Sequence, residues 1–460
     1  MDAILRIYVQ EINRIYKQGD FSEMSFRSPL EELFRQCLPE YEIIHEATGQ
    51  TPGTPDFVIR RGAFPAGFCE CKAIEKDLPI LLSDEKIKAQ LEKYRAAADN
   101  LILTNYRDFL LFQAGSHRPV AEVHLGAPGE LHATAGNARA LKQMLEMFTA
   151  YQPEVAGDPE QLASALARRA RVLRDQVLSR LARDIPTGQG PLVPLYHAFS
   201  EYLIKDMTHE QFADAYAQTV AYGLFIARAV HDGPGFSRRL AKDLLPDTFH
   251  LIRTLFGHIS GEIPTDLEWV VDSMAQTLSV ADLRAILSAF TRHKAEEDPF
   301  IHFYEDFLQA FDPGVRECRG VYFTPRPVVS FIVNSVHALL SARFGKTRGL
   351  ADPSVTVLDP ALGTGTFLEY AMHLVGEENR QAGLSGKFSD LVRSHILKNF
   401  YGFELLMAPY TIAHMKLSMT LRKLGHELNS GERLKVYLTN TLDPQVIQPG
   451  IFPVIKDLSD

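Results

Sequence analysis

The 460-residue chain has few cysteines and no long apolar run. Its four cysteines, at positions 37, 69, 71 and 318, form no CxxC pair, which predicts reduced thiols in a cytoplasmic protein rather than a disulfide framework. No window reaches the ~18 consecutive apolar residues of a membrane span. The charged, amphipathic N-terminus does not fit a secretory signal. We therefore expect no membrane partner.

An excess of positive charge is also missing. The formal net charge of −9 does not by itself indicate nucleic-acid binding, so local charge matters more than the total. Residues 165–183 carry six arginines against one aspartate. This segment is either a solvated helix face or a helix that follows phosphate groups, and the pattern leaves both interpretations open.

The chain has three regions in order: the first has an α/β pattern, the second a helical pattern and the third again an α/β pattern. Residues 1–150 alternate helical and strand-like segments in the order αββαββ, with a helix start predicted at Ser28, Pro29 and Glu31. Residues 151–315 repeat apolar side chains at helical spacing and form a predicted connector. Residues 316–460 alternate strands with helices, which predicts a parallel sheet.

Acidic and basic residues meet in the first region. Asp56 opens a predicted strand, and Glu70 and Lys72 share one face of the strand that follows after the turn "GAFPAG". A hairpin would bring Asp56 beside Glu70, where two carboxylates repel each other unless a cation lies between them. Mg²⁺ prefers such oxygen ligands, and a neighbouring lysine can help to activate water. Cys69 and Cys71 are expected to pack in the core instead of binding metal.

This arrangement resembles the PD-(D/E)xK nuclease superfamily, with Pro55-Asp56 and Glu70-Cys71-Lys72 in the motif positions. The resemblance implies an α/β nuclease domain in which Asp56 and Glu70 bind Mg²⁺. Gln90 and Tyr94 look like the QxxxY element of some members and complete the expected catalytic set. Glu32 is a candidate third acid. The alternative is that Glu70 and Lys72 form a surface ion pair and that Gln90 and Tyr94 form an ordinary surface pair.

A second constellation follows a strand in the last region. "VLDPALGTGTF" contains Gly363 and Gly365, which permit a positive φ angle, and a helix is predicted to begin near Thr366. The run lacks the GK[ST] ending of a phosphate loop and the third glycine of a dinucleotide loop. The pattern alone therefore predicts a turn for a charged or nucleoside-like ligand, or a tight packing turn, and leaves the ligand open.

The wider set resembles the S-adenosylmethionine site of adenine-N6 DNA methyltransferases, within the N-terminal half of a Rossmann-like domain. The resemblance implies that the DPAxGTGxF loop contacts the methionine part, Glu404 the ribose, and Asn440 the adenine, with Asp443 as a substitute. Thr324 and Pro325, in "VYFTP", would pack at the amino-acid end. The expected loop residues are Asp359, Pro360, Ala361, Gly363, Gly365 and Phe367.

The (N/D)PP(Y/F) turn that grips the flipped base in that family is missing from the chain. We therefore expect an N-terminal portion of a longer protein, or one half of a split pair whose second polypeptide supplies target recognition. The order of the regions resembles restriction-modification enzymes of Types IIG, IIL and ISP, which act on double-stranded DNA. The alternative is a non-catalytic cofactor-sensing or partner-docking fragment of a phage-defence complex.

Overall fold

The computed structural model describes residues 1–45, 55–62, 64–82, 99–114, 116, 118–151, 156–202, 204, 207–231, 233, 235–244, 263–286, 299–312, 324–429 and 431–442. The chain divides into two compact units. The N-terminal unit comprises Met1–Ala156 and Pro264–Ala281, and the C-terminal unit comprises Gly157–Ile263 and Asp282–Asp460. The division into three domains stays a prediction, since helices of the expected connector occur in both units.

The N-terminal unit is a mixed α/β structure. Its helices are α1 (Asp2–Gln18), α2 (Arg27–Cys37), α3 (Leu78–Leu81), α4 (Ala135–Ala150) and, from the later segment, α9 (Thr265–Val280). Its strands are β1 (Glu42–His45), β2 (Phe57–Arg61), β3 (Phe64–Cys71), β4 (Asn100–Thr104), β5 (Asp108–Gln113), β6 (Ala121–His124), β7 (Gly126–Ala127) and β8 (Glu130–Leu131).

Strands β1 to β6 form one sheet in chain order. All neighbours are antiparallel except β3 and β4, which are parallel and are therefore joined by a long connection. One face packs on α1, α2 and α4 and includes the buried side chains of Phe57, Cys69 and Cys71. The predicted hairpin between β2 and β3 and the core position of the two cysteines are confirmed.

The predicted helix start at Ser28 is wrong. Helix α2 begins at Arg27 and its N-cap residue is Phe26, because a 3₁₀ turn at Glu23–Phe26 leads directly into it. The N-cap of that turn is Ser22, whose backbone N–H donates to Ser25 Oγ at 3.0 Å. Glu31, expected to cap the helix, instead forms an ion pair with Arg35 at 2.5 Å. The predicted order αββαββ also missed β1 and β6.

Helix α9 covers part of the second face of this sheet. The ring of Trp269 packs edge-on against Phe68 of β3, with centroids 5.1 Å apart, and both side chains are buried. Arg60 of β2 forms an ion pair with Asp272 at 2.5 Å. A helix from the expected connector is therefore part of the N-terminal unit, flanked in the chain by segments of the C-terminal unit.

The C-terminal unit begins with helices and ends with a parallel sheet. Its helices are α5 (Pro159–Asp184), α6 (Val193–Tyr202), α7 (His209–Val230), α8 (Arg238–Leu244), α10 (Pro299–Phe311), α11 (Arg326–Arg343), α12 (Thr366–Gln381), α13 (Phe388–Leu391), α14 (Leu397–Asn399) and α15 (Met407–Lys423). Short turns lie at Ile185–Thr187, Gly349–Ala351, Ser385–Lys387 and Val392–Ile396. Its strands are β9 (Val357–Asp359), β10 (Phe400–Glu404) and β11 (Lys435–Leu438).

The arginine-rich helix α5 is largely engaged inside its own unit. Arg169 is buried and donates to the Ala165 carbonyl, and Arg171 donates to the carbonyl of Ala310 on α10. Arg174 lies 3.1 Å from the Asp175 carboxylate. These contacts favour a packing role over phosphate binding for this part of the helix.

The parallel sheet has the order β11-β10-β9, and both neighbouring pairs are parallel. This arrangement confirms the parallel pairing predicted for the last region. None of the described helices combines the length and the apolar character needed to cross a membrane.

Candidate functional site

Asp56 lies directly before β2 and accepts two hydrogen bonds. The Cys71 backbone N–H donates to its Oδ2 at 2.6 Å, and the Arg27 guanidinium of α2 donates to its Oδ1. Burial raises the pKa of Asp56, while Arg27, the Cys71 N–H and Lys72 oppose that rise. The carboxylate is thus buried and held by one cation and one backbone dipole.

Glu70 lies on the neighbouring strand β3, and Lys72 directly follows that strand. The ammonium of Lys72 is 2.8 Å from Glu70 Oε1, and Glu70 is only 4% exposed. Phe57 pairs with Cys69 in the antiparallel register, which places Asp56 opposite Glu70 across the hairpin. The register and the contact between Lys72 and Glu70 thus place the three predicted residues at neighbouring positions of the hairpin.

This donor set fits Mg²⁺ in one respect, since two acids occupy opposite register positions of the hairpin and one of them contacts a lysine. Among the described residues, no cluster of three or more His, Cys, Asp or Glu side chains is placed to hold a metal. Mg²⁺ needs fewer protein ligands, because it is usually bound through one or two carboxylates and retains several waters. Glu32 is exposed and bonded to Gln36, so it does not supply a third acid. Gln90 and Tyr94 lie outside the described residues.

Sequence reasoning missed Arg27. Its guanidinium is buried among Asp56, Tyr106 and Cys71, and Asp56 raises the pKa of Arg27 against the effect of burial. No local pattern marks it, because its partner is 29 residues further along the chain. Only the packing of α2 against the sheet brings the two together.

The second site lies where the carboxyl ends of three parallel strands meet. Asp359 ends β9, Glu404 ends β10, and Asn440 follows β11. Thr441 Oγ1 donates to the Pro360 carbonyl at 2.7 Å, which ties the segment after β11 to the glycine turn. Ligands of open parallel sheets bind at this edge.

The glycine turn connects β9 to α12. Gly363 has φ 56° and Gly365 has φ 81°, a region that only glycine adopts without strain. A β-carbon on Gly363 would meet no heavy atom within 4 Å, whereas one on Gly365 would lie 3.2 Å from Ala413 Cβ on α15. The first glycine therefore borders open space, and the second allows close helix packing.

The two acids of this site face the turn. Glu404 Oε2 accepts the Gly363 N–H and Oε1 accepts the Leu406 N–H, both at 2.7 Å. Asp359 Oδ1 accepts the Ala361 N–H, while its Oδ2 is buried and has no hydrogen-bond partner. Burial raises the pKa of both carboxyls, and Asp359 raises that of Glu404 further. A buried carboxylate oxygen without a partner fits a ligand that brings a donor.

The remaining predicted residues lie around the turn. Thr324 and Pro325 precede α11, whose N-cap is Pro325 without a side-chain cap bond. Phe367, in the first turn of α12, lines a groove of about 440 Å³ between α11 and β9, together with Asp359 and Pro360. Asn440 Oδ1 accepts the Leu442 N–H at 3.1 Å. Asp443 lies outside the described residues.

A buried ion pair behind the turn was not predicted. Lys416 of α15 is 4% exposed, and its ammonium lies 3.2 Å from Glu369 Oε2 and 3.1 Å from Thr366 Oγ1. His373, Lys416 and Arg326 outweigh the effect of burial and lower the pKa of Glu369 to about 2. The first turn of α12 is thus fixed to α15 by charge.

We expect His414, also on α15, to make the C-terminal unit less stable in mild acid. Burial lowers its pKa to about 4, so the unfolded chain takes up this proton first as the pH falls from 6.5. The contribution of neutral, buried His414 to stability is fully present above about pH 6.5 and is lost as the pH falls toward 4. Between pH 7 and pH 5 we expect the free energy of unfolding to fall by about 2 kcal/mol on account of this residue.

The measurement is urea unfolding at both pH values. In the His414→Gln variant this part of the pH dependence should vanish, whatever the packing cost. The control His197→Gln changes an exposed histidine of the same unit. An equal pH dependence in wild type and His414→Gln would contradict the assignment.

Residues 295–448 match the family model of N-6 DNA methylases. The methylase subunit of the Type I restriction enzyme StySJI from Salmonella typhimurium is 27% identical over 47% of this chain and 36% of its own length. The EcoKI methylase subunit from Escherichia coli is 26% identical over 45% of this chain and 34% of its own length. The chain spans about a third of the length of these curated relatives.

Two solved structures are similar to the chain, with lower sequence identity than these relatives. The cryo-EM structure of a DrdV–DNA complex has a TM-score of 0.44 and 20% identity, covering 96% of this chain and 40% of that one. The Type ISP restriction-modification enzyme LlaGI, as a nuclease-deletion mutant with a DNA substrate mimic, has a TM-score of 0.47 and 18% identity, covering 70% and 24%. Likeness at this level assigns no role to any residue.

Proposed function

We propose that the chain is part of a DNA restriction-modification protein that pairs Mg²⁺-dependent DNA cleavage with S-adenosylmethionine-dependent adenine-N6 methylation. The observation that carries the methylation half is the buried, unpartnered Asp359 Oδ2 beside Glu404 and an open glycine turn. It lies within the segment that matches the N-6 DNA methylase model.

In the methylation half, each group of the site has a role in holding the cofactor. Glu404 would accept the ribose hydroxyls, since each carboxylate oxygen that now accepts one N–H has a second lone pair. Asp359 Oδ2 would accept a donor from the bound molecule, and Gly363 leaves room for its approach. S-adenosylmethionine, when bound, supplies the methyl group.

Replacing Glu404 with glutamine should weaken S-adenosylmethionine binding by about 10- to 100-fold. Hydrogen bonds to a charged acceptor are worth roughly 1.5–3 kcal/mol, and the amide retains only one acceptor oxygen. Isothermal titration calorimetry on the whole chain measures the effect. Glu377→Gln, on the solvent side of α12, is the matched control. An unchanged dissociation constant for Glu404→Gln would remove this residue from the site.

In the cleavage half, Asp56 and Glu70 would hold Mg²⁺ against the DNA backbone. Mg²⁺ supplies Lewis-acid stabilisation of charge on the phosphodiester. Lys72, paired with Glu70 at 2.8 Å, would orient a water and hold positive charge near the scissile phosphate. Asp56 and Glu70 come from neighbouring antiparallel strands, a rigid support for such a site.

A second polypeptide or further segment would complete the methyltransferase sheet. Strand β9 lies at the edge of the described sheet, and edge strands present unpaired backbone groups. Helix α11 beside it exposes an apolar stripe of Val328, Phe331, Ile332, Val336 and Leu339. An exposed stripe of this kind is typical of a surface that is covered by another chain or segment.

The alternative function is cofactor sensing without catalysis. The same calorimetry separates the cases when it is combined with a cleavage assay on duplex DNA and Mg²⁺. Cofactor binding without cleavage would favour the sensor, and binding together with cleavage would favour the enzyme. We expect the second result, and the 2.8 Å contact of Lys72 with Glu70, opposite Asp56 in the hairpin register, supports it.

A further inference from the structure

Arg27 bonds to Oδ1 of Asp56, the oxygen that does not accept the Cys71 N–H. Asp56 Oδ2 accepts the Cys71 N–H, and Asp56 Oδ1 accepts the guanidinium of Arg27. The side chain of Arg27 is 9% exposed and that of Asp56 is 12% exposed, so the pair is largely shielded from water. A buried pair of this kind is costly to break unless another charge replaces one partner.

Among the residues that the structure describes here, the charges balance. Asp56 and Glu70 contribute two negative charges, and Arg27 and Lys72 contribute two positive charges. Two acids with a single lysine would have a net charge of −1, which attracts a divalent cation. With Arg27 in contact the sum of these four charges is zero, so an incoming Mg²⁺ meets less attraction and finds both Asp56 oxygens already accepting hydrogen bonds.

We propose, on the basis of the cleavage function above, that Arg27 is an internal counter-cation that competes with the divalent metal for Asp56. The guanidinium holds the carboxylate in place when no metal is bound. In this proposal a metal at Oδ1 displaces the Arg27 guanidinium, because two cations at one oxygen repel each other. Arg27 is thus a positioning residue that sets the metal concentration at which the site fills.

The test is Mn²⁺ titration of the whole chain, with free Mn²⁺ followed by electron paramagnetic resonance. We expect Arg27→Met to bind Mn²⁺ at least about tenfold more tightly than the wild type, because it removes the competing charge. Arg27→Lys keeps the charge and should stay close to the wild type. Arg35→Met removes an exposed arginine of the same helix, so its affinity should not change.

A thermal-unfolding measurement covers the case in which Arg27→Met folds poorly. That variant leaves Asp56 buried without its guanidinium partner, so its melting temperature should be lowered without metal and recovered by Mg²⁺. The rise in melting temperature with Mg²⁺ should be larger than in the wild type. The double variant Arg27→Met, Asp56→Asn should show no such rise.

The outcomes separate this inference from the function on which it rests. Equal or weaker Mn²⁺ binding by Arg27→Met, with binding retained by the wild type, would overturn the competition but keep the metal site. A lack of Mn²⁺ binding by both chains, with no Mg²⁺-dependent rise in melting temperature, would reject the metal site and the cleavage function together. Tighter binding by Arg27→Met that is lost on Asp56→Asn supports the proposal.

Discussion

Replacing Asp56 with asparagine is expected to reduce Mg²⁺-dependent cleavage of duplex DNA by at least about 100-fold. The substitution keeps the shape of the side chain but removes one of two carboxylates that would bind the ion, and the metal supplies several kcal/mol of charge stabilisation in such reactions. The Cys71 N–H can still be accepted by the amide oxygen, so the local backbone should be kept. Gel-based cleavage of plasmid DNA at fixed Mg²⁺ measures the loss.

The matched control for this variant is Asp77→Asn. Asp77 caps α3 by accepting the Ile80 N–H at 3.2 Å, and asparagine caps helices as well as aspartate does. Cleavage should therefore be unchanged in that variant. Undiminished cutting by Asp56→Asn, or cutting that does not require a divalent metal, would reject the nuclease assignment.

Replacing Trp269 with alanine is expected to lower the free energy of unfolding of the N-terminal unit by about 3–5 kcal/mol. Removal of a buried aromatic ring loses its burial and leaves a cavity, and losses of this size are typical for such changes. The ring is 1% exposed and packs on Phe68, so its removal would uncover the middle of β3. Urea unfolding followed by circular dichroism is the measurement.

Ile80→Ala is the control for this prediction, since Ile80 belongs to the same unit and is 69% exposed. Its effect should stay within ~0.5 kcal/mol. A loss below about 1 kcal/mol for Trp269→Ala would mean that α9 contributes little to the N-terminal unit.

The sequence was most informative where neighbouring residues determine the structure. The turn "GAFPAG" separates two strand-like runs, and the hairpin of β2 and β3 forms there. The glycines at 363 and 365 adopt the positive φ angles that their position after a strand predicts. The predicted helix start at Ser28 is wrong because an earlier 3₁₀ turn, with Ser22 as its N-cap, leads into α2 without a second cap.

Long-range contacts could not be predicted in the same way. Helix α9 has the same apolar spacing as the helices around it, so nothing in its pattern assigns it to the sheet of the N-terminal unit. Arg27 and Lys416 are both buried cations whose partners lie 29 and 47 residues away. A lysine or arginine is expected to be exposed to solvent unless the fold places an acid beside it. The spacing of residues along the sequence does not show where the fold places such an acid.

The position of α9 in the chain has a consequence for exchanging modules between related proteins. A fragment that ends at residue 156 would contain the sheet but not Trp269 and Asp272. Phe68 would then lose the ring that covers it, and Arg60 would lose its ion-pair partner. A graft of the N-terminal module therefore needs the helix at Thr265–Val280 as well. An exchange with only one crossover point would separate this helix from its sheet in both resulting proteins.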